Sequence, residues 1–173
     1  ACIDVREKLV AAKAHADFAQ SAAFTAMTST SEMGQVLDFL VNSLQTTDFD
    51  EVAKLILSML QGFELSGAVA FRSKHIGEKF YSLSGVIRPI EKELLEKGCG
   101  AERIVSYNHL YMFNSSLASI LIKNMPKDDN VAGRLRDHLA IAITIIEEKV
   151  QNLDSGNTYI SIFDGEDYIA KSF

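Results

Sequence analysis

The chain has 173 residues, 47% of them hydrophobic and 23% charged, with a formal net charge of -6. That is enough apolar material for one core with appended helices, and the acidic balance disfavours a nucleic-acid partner or an anionic membrane surface. The longest apolar run, Leu139 to Ile146, falls well short of the roughly 20 residues a membrane span needs and reads as buried helix.

Charged residues Asp4, Arg6, Glu7 and Lys8 stand where the apolar part of a signal peptide would begin, so a cytoplasmic protein is expected. The chain opens on Ala-Cys-Ile-Asp and is helical in pattern by Val5, as in a piece cut from a longer protein. Cys2 and Cys99 are far apart and neither belongs to a CxxC pair, so both read as reduced thiols.

The first quarter carries the strongest pattern. Val5, Leu9, Ala12, Ala16, Ala19, Ala23, Ala26, Thr30, Met33, Leu37, Leu40 and Leu44 are separated by alternating steps of four and three. That spacing is the a/d repeat of a coiled coil. The seam is mostly alanine in its middle, which lets two backbones approach closely while burying little area per residue. A homodimer joined along this stripe is expected, the alternative being that the alanines face the chain's own core. Ser31 is a candidate N-cap and Gly34 disfavours a regular helix, so a break near 28–31 would divide the segment into helices over 3–28 and 31–46.

Asp48 or Asp50 opens a further helix with Val52, Leu55, Ile56, Met59 and Leu60 on one face, closed by Gly62. The period then changes to two. Gly67–Ser73 and Glu78–Ser84 read as a hairpin around 74–77. Pro89 starts a short helix over Ile90–Lys97, closed by Gly98. Three extended pieces follow, Arg103–Ser106, His109–Asn114 and Leu117–Lys123. Pro126 and Asp128-Asp129 open a long helix to about Leu153, striped by Val131, Leu135, Leu139, Ala142, Ile146, Val150 and Leu153. The tail, 154–173, is β-prone at 159–163 and reads as an edge strand or a linker. Grouped strands bracketed by helices indicate an α+β fold with an antiparallel sheet.

This order, with LSGAVAFR at 65–72 and RLRDHLAIA at 134–142, resembles a GAF domain over residues 47–153. The resemblance implies an antiparallel sheet of about five or six strands backed by its first and last helices, with a ligand pocket or a closed surface opposite. It divides the chain into a helical coupling segment at 1–46, the GAF-like domain at 47–153 and the tail. The segment AMTSTSEMGQVLDFL at 26–40 is similar to the stretch that follows the receiver domain in a group of bacterial response regulators. That likeness implies an output region of a two-component system, lacking its receiver and regulated by a receiver domain in cis or by another signalling protein. In the dimer the N-terminal and C-terminal helices would form a four-helix bundle.

Chemistry is sparse. His15, His75, His109 and His138 are scattered without HxxxH or HExxH spacing, so no metal is expected. His109 or His138 could ligate a haem only as a lone histidine. Cys99, in Gly98-Cys99-Gly100, lacks the adjacent His of a bilin attachment site, and no phosphate-cradling loop or hydrolase elbow is present. No cofactor and no catalytic residue is expected. Two alternatives remain. Phe71, Arg72, Phe80, Arg103, Tyr107 and Tyr111 would line a cavity for a small anionic or aromatic ligand such as a cyclic nucleotide, haem or metabolite. Glu32 and Gln35, one helical turn apart, would hold a water in line with a receiver's phosphoaspartate.

Overall fold

The computed structural model describes the backbone of residues 2–171 and the side chains of residues 4–156. It contains two compact units, Ala1–Gly34 and Gln35–Phe173. Helix α1 is one continuous α-helix, Cys2–Gln45, without the break expected at 28–31. The cause is local. Thr28 Oγ1 donates to the Phe24 carbonyl at 2.9 Å and Thr30 Oγ1 to the Ala26 carbonyl at 2.8 Å. Hydroxyls bonded to the carbonyl four residues back are satisfied inside the helix and do not start a new one.

Helix α2, Phe49–Gly62, starts after Asp48, whose backbone is extended. It ends at Gly62, as expected, and the left-handed residue that turns the chain is Glu64 (φ 58°). The Leu65 amide closes the end by donating back to the Leu60 carbonyl at 2.8 Å.

Five strands form one antiparallel sheet: β1 (Gly67–Ser73), β2 (Gly77–Ser82), β3 (Ile104–Tyr107), β4 (Leu110–Asn114) and β5 (Ala118–Ile122). Their spatial order is β2-β1-β5-β4-β3. Asn108 (φ 54°) makes the tight β3–β4 connection, a conformation that asparagine tolerates better than most residues.

Helix α2 and helix α4 (Asp129–Lys171) pack on one face of the sheet. The α4 stripe is as the sequence spaced it. Leu135, Leu139, Ala142, Ile146 and Val150 are buried, and Val131 and Leu153 are half-buried. Each such leucine or isoleucine contributes about 1.5–3 kcal/mol on burial. Asp128 Oδ1 accepts from the Asn130 and Val131 amides at 2.9 and 3.1 Å, so the expected acidic cap forms.

The tail departs from expectation. Residues 159–163 lie within the helical backbone of α4, and the sheet ends at five strands. Strand propensity depends on the packing around a segment and yields to its context. The described packing also continues past Leu153. Asp154 is buried, and its carboxylate accepts from Ser73 Oγ and from the Lys74 amide.

The opposite face is covered by α3, Pro89–Lys97. Ala68, Ala70, Met112 and Leu121 of the sheet and Leu95 of α3 make a small core there, flanked by Phe80, Ile87, Leu94 and Leu110. At the start of α3 the buried Glu91 accepts from Lys123 Nζ at 2.7 Å and from the Arg88 amide at 3.0 Å. The Lys123 bond, helped by the Arg88 amide, outweighs burial and holds the Glu91 carboxyl below the usual carboxylate range. Its contribution is therefore complete above the unfolded-state value and fades as pH falls through the lower folded-state value. Glu91→Gln is expected to cost about 2 kcal/mol at neutral pH, the worth of hydrogen bonds to a charged group. In urea titrations, the gap between the variant and the parent should narrow below about pH 4.

Candidate functional site

The six residues expected to share a ligand cavity are distributed over both faces of the sheet. Neighbours on a strand point to opposite sides, and Phe71 and Arg72 are neighbours. Phe71 is buried against Phe49 of α2 and Tyr81 of β2, with ring centroids 6.0 and 5.5 Å away. Arg72 and Phe80 lie on the α3 side. Tyr107 pairs with Leu110 on that side and is 76% exposed. Tyr111, next along β4 from Leu110, faces the helical layer with Phe113. Arg103 donates to Thr144 Oγ1 and to the Ala140 carbonyl of α4. The set does not enclose a common space.

Arg72 is the informative member. Its guanidinium is 9% exposed and donates to the Leu95 carbonyl at 2.6 Å and to Ser119 Oγ at 3.0 Å. Its Nε lies 3.4 Å from Glu78 Oε1. The last turn of α3 is thereby tied to the sheet by a cation, which also suits the negative end of a helix. Gly98 allows the close approach: a Cβ there would stand 2.5 Å from Asn114 Oδ1 and 2.7 Å from Ser119 Oγ. The outer face is thus filled by α3 itself, and Arg72 is engaged in holding it.

A comparable tie joins β2 to α2. The Tyr81 hydroxyl donates to Asp50 Oδ1, and Lys79 Nζ lies 3.6 Å from the same oxygen. Burial, then the Asp50 bond, pushes the Tyr81 phenol far above its ordinary value, so it remains a donor. The Tyr81 bond holds the Asp50 carboxyl low.

Helix α1 presents the other arrangement of interest. Every side chain from residue 4 to residue 27 is exposed. The expected seam residues Leu9, Ala12, Ala16, Ala19, Ala23 and Ala26 are among them, and Met33 is half-buried. Within the Gln35–Phe173 unit, the end of α1 carries two adjacent stripes. Val36, Phe39 and Ser43 are buried. Leu37 and Leu44, each one residue after a buried one and so turned about 100° away from it, are 53% and 72% exposed, with Leu40 half-buried between them. The residues that seat this helix are therefore not the seam residues. Its C-terminus has no basic residue of its own, and Lys149 Nζ of α4 supplies one by donating to the Thr46 carbonyl at 2.6 Å.

Two depressions flank this part of α1. One, of about 190 Å³, is an apolar groove between α1 and α4, lined by Leu40, Ser43 and Leu44 with Thr144, Ile145 and Glu148. The other, about 260 Å³, lies between α1 and α2, where Gln35 and Phe39 meet Leu55 and Met59. Gln35 reaches across to the end of α2. A Cβ on Gly62 would fall 2.0 Å from Gln35 Oε1. A larger residue at 62 would require the end of the flexible Gln35 side chain to move aside. Glu32 is half-buried.

A polar hollow of about 440 Å³ lies where Lys74, His75, Ser116 and Glu147 meet Asp154. Its carboxylates bond within the fold, Asp154 as described above and Glu147 with Ser116 Oγ at 2.7 Å. Among the described residues no group of three or more His, Cys, Asp or Glu is placed to hold a metal ion, and no helix is long and apolar enough to cross a membrane. Compared with protein-family models, curated proteins and solved structures, the chain matches none.

The Gln35–Gly62 contact is open to a double-mutant cycle. Alanine is favoured over glycine in a helix by about 1 kcal/mol, a gain that Gly62→Ala should realise more fully when Gln35 is truncated. In denaturant melts, Gly62→Ala should be more favourable in a Gln35→Ala background than in the parent by about 0.5 kcal/mol or more, the coupling expected of touching residues.

Proposed function

We propose that this chain is a non-catalytic signal-transduction module that works as a homodimer. It is a GAF-like regulatory domain carried behind a helical coupler, in the manner of a response-regulator output region. Its input is a receiver domain in the same polypeptide or another signalling protein.

The observation that carries this reading is the state of the α1 stripe. From residue 9 to residue 26 it holds seven-residue spacing, with Leu9 and five alanines all facing solvent. A regular apolar stripe exposed on a helix is half of an interface. Two identical helices complete it, because the same register occurs on each.

The GAF-like part of the reading draws on the element order, the five antiparallel strands, and the placement of α2 and α4 on one face. The closed outer face favours an interaction domain over a small-molecule sensor. Ala68, Ala70 and Leu121 lie beneath Leu95, and Arg72 is spent on the Leu95 carbonyl. In this picture the module transmits by a shift in the relative register or rotation of paired α1 helices, each state favoured by different contacts. A seam of small residues suits that role, since it fixes the approach of the helices while contributing little energy to either arrangement.

Sedimentation equilibrium of the parent chain at micromolar concentration should give a dimer. Ala16→Asp or Ala19→Glu places an unpaired charge in the seam, and either should weaken association by roughly tenfold or more, about 1.4 kcal/mol. A parent chain that sediments as a monomer would remove the reading.

A further inference from the structure

Resting on the dimeric reading above, we infer that the sheet-bearing unit has its own self-association surface, formed by the end of α1 and the middle of α4, and that its occupant is the same surface of a second copy. Leu37, Val41 and Leu44 occupy one face of α1 at helical spacing, and all three are exposed. Ile141, Ile145 and Glu148 occupy one face of α4, with Ile141 exposed. The groove of about 190 Å³ runs between the two helices. Ridge and groove are thus present on one surface.

Three observations select a second copy as the occupant. First, an isologous contact needs a patch that is its own complement. Exposed side chains beside a groove of matching apolar character meet that condition under a two-fold rotation, which lays the ridge of one subunit into the groove of the other. Second, the charges at the groove are balanced. Glu148 and Lys149 lie side by side along it, so two copies meet without net repulsion.

Third, the alanine stripe needs help. Each alanine brings only a methyl group to the seam, whereas Leu37, Val41, Leu44 and Ile141 each have about half or more of a larger residue to withdraw from water. The stripe also continues into this surface. Leu37, Leu40 and Leu44 hold the same spacing of four and three as the alanines before them. The resulting contact is four helices, two from each subunit, with the leucine-rich end supplying affinity and the alanine segment supplying register.

The test uses the full chain. In a Cys2→Ser, Cys99→Ser background, a single cysteine is introduced as Ile141→Cys or Leu44→Cys and oxidised at micromolar concentration. A cross-linked dimer from either position is expected, together with at least a tenfold rise in the dissociation constant of Leu44→Glu and Ile141→Glu by sedimentation. A control cysteine on the outer face, Ile90→Cys, should remain uncross-linked. A parent chain that dimerises, loses its dimer with Ala19→Glu, yet keeps it with Leu44→Glu and Ile141→Glu would overturn this surface and leave the coupler reading intact. A parent chain that is monomeric would overturn both. Circular dichroism of the glutamate variants should match the parent, because both positions are exposed.

Discussion

The three turns of α1 that enter the sheet-bearing unit fix much of what the rest of the chain can do. Val36, Phe39 and Ser43 seat the helix, and Lys149 closes its carbonyl end at Thr46. A helix presents a new side chain every 100°, so burying one stripe determines which stripe remains outside. Here the outward stripe includes Leu37 and Leu44. Core and surface are thereby locked into one phase, and a rotation of the helix that rearranged the outer stripe would have to disturb Phe39 and its neighbours as well. That coupling is what the coupler reading requires of the end of α1.

The sheet applies a similar discipline with a period of two. Phe71 goes to the helical layer and Arg72 to the α3 layer because they are consecutive on β1. The helical layer is apolar and deep, with Phe71, Phe113, Ile120 and Ile122 completely or nearly buried. The α3 layer is thin, floored by two alanines, and depends on polar ties. The Glu91–Lys123 pair holds one end of α3 and the Arg72–Leu95 bond the other. Removing either partner of such a tie leaves a desolvated polar group behind, so each matters more than its net gain in the intact fold.

Much of the fold was legible because hydrophobic period is a direct signal of burial. The α4 stripe from Leu135 to Val150, the α2 face and all five strands could be read at nearly their observed places. The errors came where composition competes with context. Thr28 and Thr30 looked like a boundary, but their hydroxyls are satisfied within the helix. Gly62 ends α2 as expected, but its proximity to Gln35, between segments far apart in sequence, had no local signal. The aromatic stretch at 159–163 looked like a strand and continues a helix. The candidate ligand set failed for a related reason. Aromatic and basic residues on strands were grouped by type, whereas alternation alone could have separated Phe71 from Arg72. The seating stripe of α1 had a signal too, since Val36, Phe39 and Ser43 follow helical spacing, but the longer seam pattern masked it.

Asp154 gives α4 a counted length. Ile146, Val150 and Asp154 are spaced by four, so all three fall near one side of the helix, each step turning 40° past a full circle. The first two sit in the apolar layer and the third reaches Ser73 and the Lys74 amide at the β1–β2 turn. Deleting one residue between Val150 and Asp154 would swing the carboxylate by about 100° and draw it back by about 1.5 Å. The hairpin would lose its acceptor although no residue touching the hairpin had been altered. This stretch of α4 therefore tolerates exchange of side chains on its outer side far better than it tolerates any change in residue number.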